Sequence, residues 1–105
     1  MDPDLPDLTI ADVVVSTAGR DAGEIFYVIG EDPVYLTLAN GKDRPLDRPK
    51  RKKRKHVQKV LRSETRVAEK LRAGDKVLNS ELRRDLAYLS RELQSEVNEL
   101  WQKTT

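Results

Sequence analysis

The stretch from Asp12 to Val28, DVVVSTAGRDAGEIFYV, limits what this chain can become more than any other. Val13, Val14 and Val15 are β-branched, and Ile25 to Ile29 is a second run rich in β-branched and aromatic residues, so both favour extended backbone. Between them, Thr17 to Glu24 reads as a loop in which Gly19 and Gly23 reach positive φ without the strain a side chain would bring. Two strands joined by a turn are the expectation, the first placed mainly at Val13 to Ser16 after a start at Thr9 and Ile10.

The pattern continues in the same register. Gly30 to Pro33 is a turn, and Val34 to Ala39 a third strand with Val34, Leu36 and Leu38 on the core face and Tyr35 and Thr37 on the other. Asn40-Gly41 suits a type I′ hairpin and predicts a fourth strand at about Asp43 to Leu46. Pro45 and Pro49 cannot donate to a ladder, which confines that strand to an edge or ends it early. His56 to Leu61 supplies a last strand. Five short strands between glycine and proline turns suggest a small SH3-like barrel.

A short apolar strand, a loop with a basic residue, an Ala-Gly step and a strand apolar at alternate positions resembles the KOW motif of ribosomal proteins and transcription elongation factors. Gly23 falls at the most characteristic glycine of that motif, Phe26 and Val28 at its following apolar positions, and Val13 and Val15 on its leading strand. Ala11 departs from it, standing where the motif commonly has a glycine before an acidic residue. The order of strands, basic run and helices is similar to small RNA-binding proteins related to a large-subunit ribosomal protein family of archaea and eukaryotes. The resemblance covers the first half closely and the second in outline. It implies an SH3-like barrel whose Arg20 loop and neighbours face RNA.

Beyond the strands, Ser63 is the expected N-cap of a first helix over Glu64 to Ala73, with Gly74 as its terminator. Asn79 or Ser80 caps a longer helix reaching about Lys103. In it Leu82, Leu86, Leu89, Leu93, Val97 and Leu100 recur at steps of four and three and form one stripe. At about 35 Å this helix exceeds what a small barrel can cover. The stripe, with Trp101, is therefore divided between intramolecular core and a surface for a protein partner or self-association.

Charged residues make up 36% of the 105 and hydrophobic residues 37%, so the core is small and the surface crowded with charge. The net charge is +2, yet Lys50, Arg51, Lys52, Lys53, Arg54 and Lys55 supply six positive charges, and the rest of the chain carries −4. Six neighbouring cations repel one another, which points to an anionic partner, and phosphates fit because neutralising them releases counterions. Arg20 and Lys42 on predicted turns, Arg44 at the predicted fourth strand and Arg48 after it are further candidates for RNA contact. Tyr27 and Tyr35 alternate out of phase with the apolar faces and are expected to point outward, either stacking on bases or pairing across strands.

There are no cysteines and one histidine, His56, which excludes disulfides and thiolate or multi-histidine metal sites. No glycine spacing matches a dinucleotide fold or a P-loop. No catalytic residues, metal or cofactor are expected. The start MDPDLPDL lacks the character of a secretory signal, and no apolar run reaches membrane-span length. The expectation is a non-enzymatic, cytoplasmic, α+β RNA-binding protein associated with ribosomal RNA or the ribosome, with ribosomal proteins as possible neighbours. It comprises an acidic tail over residues 1–8, a barrel over 9–61 containing the basic run, and helices over 63–105. The alternative is a protein-interaction adaptor of the transcription or translation machinery.

Overall fold

The computed structural model describes the backbone of residues 7–104 and the side chains of residues 7–93. The expected tail up to Pro6 and the side chains of Val97, Leu100 and Trp101 lie outside the described residues. Strands β1 (Asp12–Ser16), β2 (Ile25–Glu31), β3 (Tyr35–Ala39), β4 (Lys50–Lys53) and β5 (Val57–Arg62) precede helices α1 (Arg66–Ala73) and α2 (Asn79–Thr104). The chain is thus α+β. All strand pairs are antiparallel, in the order β4-β3-β2-β1-β5.

That order forces curvature. In a flat sheet the gaps between the two edge strands would total about 19 Å. The three residues Arg54–His56 that join β4 to β5 form a single 3-10 turn, and even fully extended such a link reaches only about 14 Å. The sheet therefore curls until its edges approach at this turn, where Arg54 N–H donates to Val34 of the β3 side and Thr17 N–H to His56. β4 and β5 do not pair with each other, so the expected barrel is not closed.

Curling lets both faces bury apolar side chains. Leu8, Val14, Phe26, Val28, Leu36, Leu38 and Val57 fill the sheet's own interior. On the other face Val13, Tyr27 and Ala39, adjacent in register, pack with Ala11, Ala68, Leu82, Leu86 and Leu89, so α1 and α2 close that side. Leu8, assigned by sequence to the acidic tail, is instead buried core. Val34, expected in the core, lies before β3 and is 54% exposed.

The fourth strand begins at Lys50, not near Asp43. Asn40-Gly41 forms no type I′ hairpin, since Asn40 is not among the residues with positive φ. The Asn40 side chain instead accepts from the N–H groups of Lys42 and Arg44 and donates to Asp43, closing a local loop. Gly41 (φ 77°) lies against the start of α2, where a Cβ would collide with the Asn79 carbonyl. Its own carbonyl accepts from Arg83 at 2.8 Å, and Asn79 Oδ1 accepts from Leu46 N–H at 2.8 Å. The Asn-Gly pair thus docks the long helix.

α1 starts two residues later than expected, at Arg66, and the Ser63 hydroxyl is engaged with Tyr27. Thr65, not Ser63, is the cap and accepts from Ala68 N–H, while Gly74 ends the helix in the left-handed conformation (φ 74°). No helix among the described residues is long and apolar enough to cross a membrane.

Candidate nucleic-acid interface

Strand alternation sorts the basic run. β4 pairs Lys50 with Leu38, Arg51 with Thr37, Lys52 with Leu36 and Lys53 with Tyr35. Because Leu36 and Leu38 face the sheet interior, Lys50 and Lys52 are drawn to that side, and Arg51 and Lys53 project from the other.

The inward pair finds a carboxylate supplied by the loop between β1 and β2. Lys52, 8% exposed, places Nζ 2.6 Å from Asp21 Oδ1 and donates to the Ala18 carbonyl at 2.6 Å. Lys50 Nζ stands 2.6 Å from Asp21 Oδ2. Asp21 Oδ1 also accepts from Ser16 Oγ at 2.7 Å. Burial alone would raise the Asp21 pKa, but the two ammonium groups and the Ser16 hydroxyl overcome it and hold the carboxyl well below the usual range. The expectation that the run requires an external anion fails for these two residues, since one carboxylate serves both.

Arg54 is also committed within the chain: Nε donates to the Asp32 carbonyl at 2.8 Å and Nη1 to the Leu8 carbonyl at 2.9 Å, with Glu31 at 3.5 Å. It clasps the turn before β3 to the segment before β1. Arg51 lies 4.0 Å above the Tyr35 ring centroid, and its Nη2 is 3.1 Å from Asp32 Oδ2. Asp32 Oδ1 accepts from the N–H groups of Tyr35 and Val34 at 2.7 and 2.9 Å. Those backbone donors, then Arg51, hold its carboxyl below the usual value.

Lys53 and Lys55 are exposed and have no ion pair among the described residues. With Pro33, Val34 and Arg54 they line an open groove of about 290 Å³. Sequence reading did not select Pro33 and Val34. The available signal was Asp32-Pro33, whose aspartate could seed a turn through the following N–H groups.

The remaining predicted residues divide. Arg20 and Arg44 share a groove with Lys50, but Asp21, Glu24 and Asp43 line it too, so its charge is mixed. Lys42 and Arg48 are exposed on the loop between β3 and β4. Tyr35 is half-buried under Arg51. Tyr27, expected to point outward, is fully buried because both faces of β2 are covered. Its hydroxyl donates to Asp85 of α2 and meets Ser63 Oγ at 2.8 Å; Thr65 Oγ1 donates to Asp85 at 2.8 Å. Burial, then the Asp85 carboxylate, pushes the Tyr27 pKa up to about 12. This node ties the sheet to both helices.

Leu82, Leu86 and Leu89, expected on the partner-facing stripe, are core; Leu93 is half-buried. A further groove between the helices, lined by Arg66, Lys70, Glu81, Arg84, Asp85 and Tyr88, also escaped the sequence reading. No known protein-family model matches the chain, and no curated protein sequence matches it.

Proposed function

We propose that the chain is an RNA-binding protein that acts by binding and not by catalysis, gripping RNA with the outward side of β4 and the turn that follows. The observation that carries this reading is the division of the basic run: acids within the chain take up Lys50, Lys52 and Arg54, while Lys53 and Lys55 stand exposed beside Arg51 and Tyr35. Clustered cations that no acid among the described residues pairs bind phosphate backbones with an affinity that falls as salt rises.

The proposal extends to the fold and the partner. We read the curled sheet as a partly open SH3-like barrel of the KOW kind. The meander β1 to β4, the one-turn 3-10 link and β5 beside β1 support that reading. So does the backbone at two motif positions: Gly23 has φ 92°, and Ala11, where the motif commonly has glycine, has φ 73°. Ala11 is the single non-glycine residue with positive φ among the described residues. By that resemblance the partner is structured ribosomal RNA in the cytoplasm.

The test is fluorescence anisotropy with a structured RNA across a salt series. Lys53→Gln/Lys55→Gln should weaken binding and flatten the slope of log affinity against log salt by about 0.7 to 0.9 per lysine. Unchanged affinity and slope would overturn the assignment of this surface.

A further inference from the structure

Arg51 differs from the other cations of the run in being both fixed and open. Its guanidinium is held by the Tyr35 ring on one side and by Asp32 at its edge, yet its side chain is 66% exposed. Asp32 offsets part of its charge, so as a phosphate ligand it is weaker than Lys53. What it offers is a flat cationic group already in place, its Cζ 4.0 Å over the tyrosine ring while two thirds of the side chain stays exposed.

We propose that the outer face of the Arg51 guanidinium is a stacking platform for an unpaired base of single-stranded RNA, with the adjoining phosphates on Lys53 and Lys55. This rests on the RNA-binding reading above and adds to it a preference for unpaired over duplex RNA. Bases stack on arginine planes as they do on aromatic rings, and a duplex keeps its bases unavailable for this. Lys53 projects from the same face of β4, about 7 Å along the strand, a separation of the order of one nucleotide. Pro33 and Val34 extend the surface past Lys53 toward Lys55 as an apolar floor open to solvent. Holding the guanidinium beforehand on Tyr35 and Asp32 removes part of the ordering cost that a free arginine would meet on binding.

Arg51→Lys tests this, because lysine keeps the charge but has no plane to stack. The wild type and this variant are titrated into a short single-stranded RNA carrying a fluorescent purine analogue quenched by stacking, and into an RNA duplex with the same number of phosphates. The wild type should quench the analogue. Arg51→Lys should lose the quench and bind the single strand about tenfold more weakly, with duplex affinity and salt slope unchanged. Equal losses on single strand and duplex, or a quench that survives the substitution, would overturn the platform and leave the RNA-binding reading standing. Failure of the wild type to bind either RNA, or its capture of an acidic peptide instead, would overturn both.

Discussion

Replacing Asp21 with asparagine should cost this protein about 3 kcal/mol, and the structure says why. The carboxylate lies 2.6 Å from each of two ammonium nitrogens, Lys50 Nζ and Lys52 Nζ, and accepts from Ser16 as well. Asparagine keeps the shape and can still accept a hydrogen bond, but it leaves two like charges facing each other. Removing one partner of a buried ion pair typically costs about 3 to 5 kcal/mol. Lys50 is 26% exposed and can turn its head toward water, which sets the loss at the lower end. Against a total stability on the order of 5 to 15 kcal/mol for a chain of this size, that is a large fraction. Lys52→Met should cost less, since Asp21 retains Lys50 and the new side chain suits the apolar interior. Urea unfolding followed by far-ultraviolet circular dichroism measures both. The pH dependence gives a second check. A carboxyl held below its usual value contributes stability that is complete above the unfolded carboxyl range, near about 4, and is lost as pH falls through the folded value. The gap between wild type and Asp21→Asn should therefore stay constant from neutral pH down to about 5 and narrow below about 4. A variant within about 1 kcal/mol of wild type at pH 7, or a gap indifferent to acid, would refute the reasoning.

Tyr27→Phe removes the hydroxyl that joins Asp85, Ser63 and Thr65, and should cost about 1.5 to 3 kcal/mol, the range for hydrogen bonds to charged groups. A phenol raised to about 12 contributes stability that is complete below the unfolded value near about 10 and is lost as pH rises beyond it. Urea midpoints taken across that alkaline window should converge for the two proteins. Ala11→Gly should be nearly neutral, because relief of a left-handed residue, about 1 to 2 kcal/mol, offsets a lost buried methyl of about 0.8 and glycine's entropy of about 0.5 to 1. Ala68→Gly, at an equally buried position inside α1, has no such relief and should cost about 2 kcal/mol. Equal losses at the two sites in thermal or urea unfolding would contradict the backbone conformation at Ala11.

The first hairpin, the third strand and both helices were legible because valine runs, glycine turns and the leucine spacing each favour one local structure. Three features were not. The fourth strand is built of lysine and arginine, residues poor in strand propensity, and forms because β3 offers an edge and Pro45 and Pro49 delay pairing until Lys50. The acids that pair with Lys50, Arg51, Lys52 and Arg54, namely Asp21, Glu31 and Asp32, stand some twenty to thirty residues away, so no local pattern reveals them; only the excess acidity of the rest of the chain hinted at internal compensation. Tyr27 misled because alternation implies an outward residue only when one face of a strand is covered, and here curling and the helices cover both. Within the candidate site, the residue types of the basic run were legible from composition. Which of them face outward was decided by register, which depends on the partner strand.

The central claim is that strand register and the 3-10 turn after it commit Lys50 and Lys52 to the fold and leave Lys53 and Lys55 for the RNA we propose. Amine acetylation, quantified by mass spectrometry at each lysine with and without RNA, tests this most directly. The account predicts that in the free protein Lys53 and Lys55 react quickly and Lys52 resists, with Lys50 between them, and that RNA protects Lys53 and Lys55. Uniform reaction of all four lysines, or RNA that leaves Lys53 and Lys55 as reactive as before, would contradict it.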